Sequence, residues 1–159
     1  MYNRGIEKIY RSDNMLKDVL FDDTTLIDID IKDKIDLFTK ITKISKEKGY
    51  ISDEQGVIED FYAKEQNTET YLGTECAIPH ARSSRILKNV IFFVRVKNSI
   101  KWSDEDNAKF IFAILAKEDD VDKHIDMLMA VSKKVLDPKV LDVLRKSNSR
   151  EEILEILCK

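Results

Sequence analysis

Glycine is scarce, four residues in 159, and no GxGxxG, phosphate-cradling P-loop or GxSxG element occurs. Nucleotide binding through such loops and acyl transfer from a nucleophile elbow are therefore without support. The two cysteines, Cys76 and Cys158, are too few and too isolated for a disulfide framework or a zinc site. No apolar run approaches the roughly 18 residues of a membrane span. The opening "MYNRGIEKIYRSDN" lacks the apolar stretch of a signal peptide, so a cytoplasmic protein with no direct membrane insertion is expected. Neither sign of charge dominates: 27 Lys and Arg are interleaved with 30 Asp and Glu, for a net charge of −3. That balance argues against nucleic-acid binding, which needs a basic face. Internal repeats, low-complexity segments and Pro/Gly-rich linkers are absent as well.

What is present suits one globular domain with a sizeable core, since 43% of the residues are apolar and 36% charged. Residues 1–20 read as an N-terminal arm or a short helix carrying Ile6, Ile9 and Tyr10, and residues 21–159 as the domain. Alternation in "TTLIDIDI" predicts a strand near 24–29. Ile35, Phe38, Ile41 and Ile44 follow at helical spacing, with Gly49 as the C-terminal stop. Ser52 and Gln55 form a capping box that opens a second helix with Val57, Ile58, Phe61 and Tyr62 on its apolar face. "CAI" reads as a short buried strand ended by Pro79. "NVIFFVRV" (89–96) and "AKFIFAILA" (108–116) carry continuous apolar runs, as strands covered on both faces do. Three helices are expected after them: one over 122–135, one at Asp137-Pro138, and one opened by a capping box at Ser149 and Glu152. Four to five strands among helices predict an α/β sandwich.

Chemistry concentrates at the only two histidines, His80 in "GTECAIPHAR" and His124 in "DDVDKHIDML". Imidazole can be a nucleophile, a general base, a metal ligand or a hydrogen-bonded core group. His80 follows a strand end, where a loop can present a side chain at a sheet rim. Pro79 stiffens the backbone leading into it. Arg82 and Arg85 supply donors suited to an oxyanion; a solvated loop is the plain alternative. His124 falls in the first turn of its helix, with Asp120 or Asp122 as N-cap. The helix dipole there disfavours the imidazolium, and the free N–H groups favour an anion. Spacing alone does not bring the two rings together. Without a Cys, Asp or Glu ligand motif beside them, a metal site is poorly supported. Phe92-Phe93, Phe110-Phe112 and Trp102 read as packing residues.

"TYLGTECAIPH" resembles the phosphorylation-site signature of enzyme IIA domains of the fructose/mannitol type, from the bacterial sugar phosphotransferase system. The matching positions are Thr70, Gly73, Ala77, Ile78, Pro79 and His80. Upstream, "FYAKEQNTETYLG" resembles the family's helix ending in an Arg-Glu pair, then a Thr and the glycine. Downstream, residues 100–157 resemble its strand, second-histidine helix and closing helices. The resemblance implies a mixed β-sheet flanked by helices on both sides, a three-layer α/β/α sandwich. It also implies a phosphocarrier without metal or cofactor. His80 would be the nucleophile, taking a phosphoryl group from HPr and passing it to a cysteine of a IIB domain or subunit. His124 would help to position that group, with Lys64, Thr70, Arg82 and Arg85 as phosphate-binding or supporting residues. Similar domains in the nitrogen-related branch and in transcription regulators use the phosphohistidine as a signal, which is the alternative role.

Two positions depart from the family pattern. Lys64 stands where an arginine is usual, keeping the charge but losing the planar fork. Glu75 stands where glycine is common, and its carboxylate is expected to face away from an anion site.

Overall fold

The computed structural model describes residues 15–159, and the reading of Ile6, Ile9 and Tyr10 lies outside them. A 3₁₀ turn, Met15–Asp18, leads into β1 (Leu20–Ile29), four residues earlier than the alternation predicts. Met15, Leu16, Val19 and Leu20 are all buried, so the packed unit already includes part of the predicted arm. Helices α1 (Lys34–Glu47) and α2 (Glu54–Asn67) follow, then the short strands β2 (Tyr71–Gly73), β3 (Cys76–Ala77) and β4 (His80–Ser83). Two long strands, β5 (Val90–Lys101) and β6 (Asn107–Lys117), precede helices α3 (Val121–Val135), α4 (Pro138–Lys146) and α5 (Arg150–Cys158).

The six strands make one mixed sheet in the order β1-β5-β6-β3-β2, with β4 paired to β6 beyond β3. β5 and β6 are antiparallel; β1 runs parallel to β5, and both β3 and β4 run parallel to β6. Strand alternation explains why successive residues in the middle of the two long strands are apolar. Phe92, Val94, Ile111, Ala113 and Leu115 face a core built with Leu37, Phe38, Ile41, Val57 and Phe61 of α1 and α2. Ile91, Phe93, Phe110, Phe112 and Ile114 face Met127, Val131, Leu144, Ile153 and Leu157 of α3, α4 and α5. The fold is thus the expected three-layer α/β/α sandwich. The stacked rings of Phe38 and Phe61, centroids 4.5 Å apart, lock α1 to α2.

Helix ends follow the sequence with one exception. Asp120, Asp137 and Ser149 each accept a backbone N–H as N-caps. Gly49 adopts φ +77, the left-handed conformation a helix stop requires. The predicted cap at Ser52 is not formed: α2 starts one residue later, with Asp53 at the cap position and no side-chain bond. The cause is tertiary. Ile51 bridges Ile86, and the Ser52 N–H donates to the Arg85 carbonyl, which holds residue 52 in an extended pairing rather than at a cap.

Candidate functional site

His80 opens β4 rather than sitting in a loop after β3. The strand along this side of β6 is interrupted at Ile78-Pro79 and resumes at His80, paired with Ile114. Proline has no N–H to donate, and the Pro79 carbonyl instead accepts from the Ile114 N–H. Ile78 turns its own N–H the other way, to the Thr70 carbonyl at 2.8 Å. The Ile78 carbonyl is then the partner of the His80 ring, 3.0 Å from Nδ1. A carbonyl can only accept, so Nδ1 carries the hydrogen and a neutral ring keeps its lone pair at Nε2.

α3 brings His124 to the same place, with ring centroids 5.3 Å apart and an edge-on geometry. The two rings share a pocket of about 260 Å³ lined by Asp60, Ala63, Lys64 and Asn67 from α2, His80 and Arg82 from β4, and His124. A larger depression of about 630 Å³, lined by Ser84, Ile86, Leu87, Lys117, Glu118 and Asp119, contains neither histidine.

Both imidazoles are held neutral. Burial lowers the His80 pKa, and Lys64 lowers it further, against the smaller opposing pull of the Ile78 carbonyl and Glu65. His124 is brought down to about 4, first by burial, then by His80, Lys64 and Arg82. Its Nε2 is buried without a hydrogen-bond partner. A buried ring nitrogen beside two cationic side chains suits an anionic ligand.

The remaining predicted residues divide. Lys64 and Arg82 line the pocket, and Arg82 also donates to the Glu118 carbonyl. Arg85 is drawn aside: its Nη1 is 3.2 Å from Asp60 Oδ1, and Ser83 Oγ donates to the other carboxylate oxygen. Arg85 therefore offsets a carboxylate at the pocket wall instead of entering the pocket. Its passage across α2 needs Gly56, where an added Cβ would stand 2.2 Å from Arg85 Nε. Thr70 is buried, and its hydroxyl is committed to Glu65 and to Trp102 Nε1, so it reaches the site only through its carbonyl. Glu75 turns away as expected and pairs with Arg145 at 3.1 Å. Asp60, Ala63 and Asn67 escaped the sequence reading. Their signal was helical: with Lys64 they recur at three- and four-residue intervals on one face of α2.

The class of protein is therefore a three-layer α/β/α sandwich that sets two histidines against one cation-lined pocket. The chain belongs to the family "Phosphoenolpyruvate-dependent sugar phosphotransferase system, EIIA 2", matched over residues 18–159. The fructose-specific EIIABC component of Bacillus subtilis (strain 168) is 24% identical over 89% of this chain, which spans only 23% of that protein. The nitrogen regulatory protein of Klebsiella oxytoca is 31% identical over 65% of each chain. Among solved structures, the complex of enzyme IIAMTL and phosphorylated enzyme IIBMTL from Escherichia coli matches with a TM-score of 0.71. Identity there is 21%, covering 85% of this chain and 94% of that one. The family assigns the chain to phosphotransfer within this system, and relatives include both sugar-specific and nitrogen-regulatory proteins.

Proposed function

We propose that this domain is a phosphocarrier whose phosphoryl acceptor is Nε2 of His80. The observation that carries the reading is the His80 Nδ1–H bond to the Ile78 carbonyl, which leaves the lone pair on the other nitrogen. The donor is the phosphohistidine of HPr. As the donor's P–N bond breaks, the His80 Nε2–P bond forms, and the departing imidazole keeps the electron pair. The ring of His80 gains positive character in that step, and the negative end of the Ile78 carbonyl dipole at Nδ1–H stabilises it. Phosphoryl transfer of this kind requires positioning and charge compensation above all. Lys64 and Arg82 offer that compensation, and His124 donates from its unpartnered Nε2 when that nitrogen carries the hydrogen. Onward transfer breaks the His80 N–P bond and forms a P–S bond with a cysteine thiolate of a IIB domain, feeding sugar uptake.

Incubation with phosphoenolpyruvate, enzyme I and HPr tests the acceptor. Wild type is expected to gain acid-labile phosphate that His80→Ala lacks; equal labelling of the two would refute the assignment. A signalling role is the second reading, favoured by the 31% identity to the nitrogen regulatory protein. It predicts the same labelling of His80 but no delivery to IIB domains of the fructose or mannitol type.

A further inference from the structure

Four side chains from separate elements, Trp102, Thr70, Glu65 and Lys34, form a closed ring. Trp102, just after β5, donates its Nε1–H to Thr70 Oγ1 at 2.9 Å. The Thr70 hydroxyl then has one hydrogen left, which goes to Glu65 Oε1 at the end of α2. The other Glu65 oxygen accepts from Lys34 Nζ at 3.1 Å, at the start of α1. Lys34 closes the ring by lying 4.5 Å from the centroid of the Trp102 indole. Thr70 is 2% exposed and Trp102 4%. With these two buried and the members satisfied, the network is stiff at its Thr70–Trp102 side.

What this ring stiffens is Thr70, and Thr70 is the anchor of the His80 approach. Its carbonyl holds the Ile78 N–H, at the one point where the strand leaves the β6 ladder. Ile78 in turn holds His80 Nδ1. We propose that Trp102, Thr70 and Glu65 are positioning residues for His80, which set its reactive tautomer through Ile78. With the ring intact, the Ile78 carbonyl is aimed at Nδ1 and the lone pair stays at Nε2. Loss of the ring frees the Ile78 N–H anchor, so that residue 78 turns its carbonyl off Nδ1, and hydrogen then populates Nε2 at the expense of the nucleophile.

This inference rests on His80 as the phosphoryl acceptor, but its first readout does not. Long-range proton–nitrogen NMR of the ¹⁵N-labelled protein reports the His80 tautomer directly, without phosphoryl transfer. The variants are Trp102→Phe, which removes one N–H, and Thr70→Val, which removes the hydroxyl and keeps the carbonyl. Each is expected to move His80 from the Nδ1–H form toward a mixture. Trp102→Phe should lower kcat for uptake from phospho-HPr about fivefold, the worth of one neutral hydrogen bond, and Thr70→Val, which also loses the bond to Glu65, should lower it further, both with KM unchanged. Thr70→Ser restores the hydroxyl and is expected to restore both readings. A wild-type tautomer in folded variants overturns the proposal, whether or not the rate falls. A tautomer shift in a protein that accepts no phosphate leaves the positioning intact and refutes the acceptor reading instead. If either variant fails to fold, Glu65→Gln, of equal volume, carries the same two readings.

Discussion

His124 should make this domain lose stability as the solution is acidified, in a window above that of the carboxylates. In the unfolded chain a histidine takes up its proton near pH 6.5. In the fold, burial and the neighbouring His80, Lys64 and Arg82 hold that uptake back to about 4. The folded pKa is depressed, so the stabilisation is complete above 6.5 and is lost as pH falls toward 4. Integrated from about pH 7 to about pH 5, such a shift amounts to roughly 2 kcal/mol. The ring is only partly buried, so solvent screening trims this toward roughly 1 kcal/mol. Urea unfolding at several pH values measures it, with His124→Gln as the control. The variant should lose roughly that much less than wild type on acidification; His80, lowered too, contributes a decline common to both. An identical decline in both proteins, or a His124 NMR titration centred near 6.5, would refute the reasoning.

Removal of Arg85 should leave Asp60 an uncompensated carboxylate at the pocket wall, so Arg85→Ala is expected to slow phosphoryl uptake by roughly three- to tenfold, about 1 kcal/mol. The double variant with Asp60→Asn should recover most of that loss in the same uptake assay; no recovery would mean that Arg85 acts otherwise. In the β2–β3 hairpin, Thr74 and Glu75 both take positive φ, +50 and +66, as a two-residue turn of the I′ type demands. Replacing the pair by Asn-Gly should raise the urea-derived stability by about 1 kcal/mol, less the small contribution of the exposed Glu75–Arg145 pair; a net loss would show that this pair dominates. Arg95, 3% exposed, joins Asp28 to the carbonyls of Leu144 and Ser147 at the end of α4. Arg95→Met leaves those acceptors unpaired and should cost about 2–4 kcal/mol in urea unfolding.

Residues 90–116 show how far the sequence reaches, and 70–83 where it stops. Unbroken apolar runs announced β5 and β6 because both sheet faces are covered. The polar "HARS" of β4 has no alternation to recognise, and it is a strand only because β6 supplies the ladder. Thr70 was singled out by the family resemblance and Arg85 by its charge close behind His80, but where each side chain ends is set by Glu65, Trp102 and Asp60, on other elements.

The sequence by itself determined the periodicities, the helix starts at Asp137 and Ser149, a third start narrowed to Asp120 or Asp122, and the presence of an Ile-Pro-His segment. Each is a local matter of side-chain spacing or of backbone hydrogen bonds within a few residues. Only the tertiary structure decided that His80 and His124 meet across one pocket, and that the pairing of Ile51 and Ser52 with Ile86 and Arg85 holds Ser52 away from its cap. Those outcomes depend on groups far apart in the chain, whose partners are chosen by the packing of α2, β4 and α3 around the edge of the sheet.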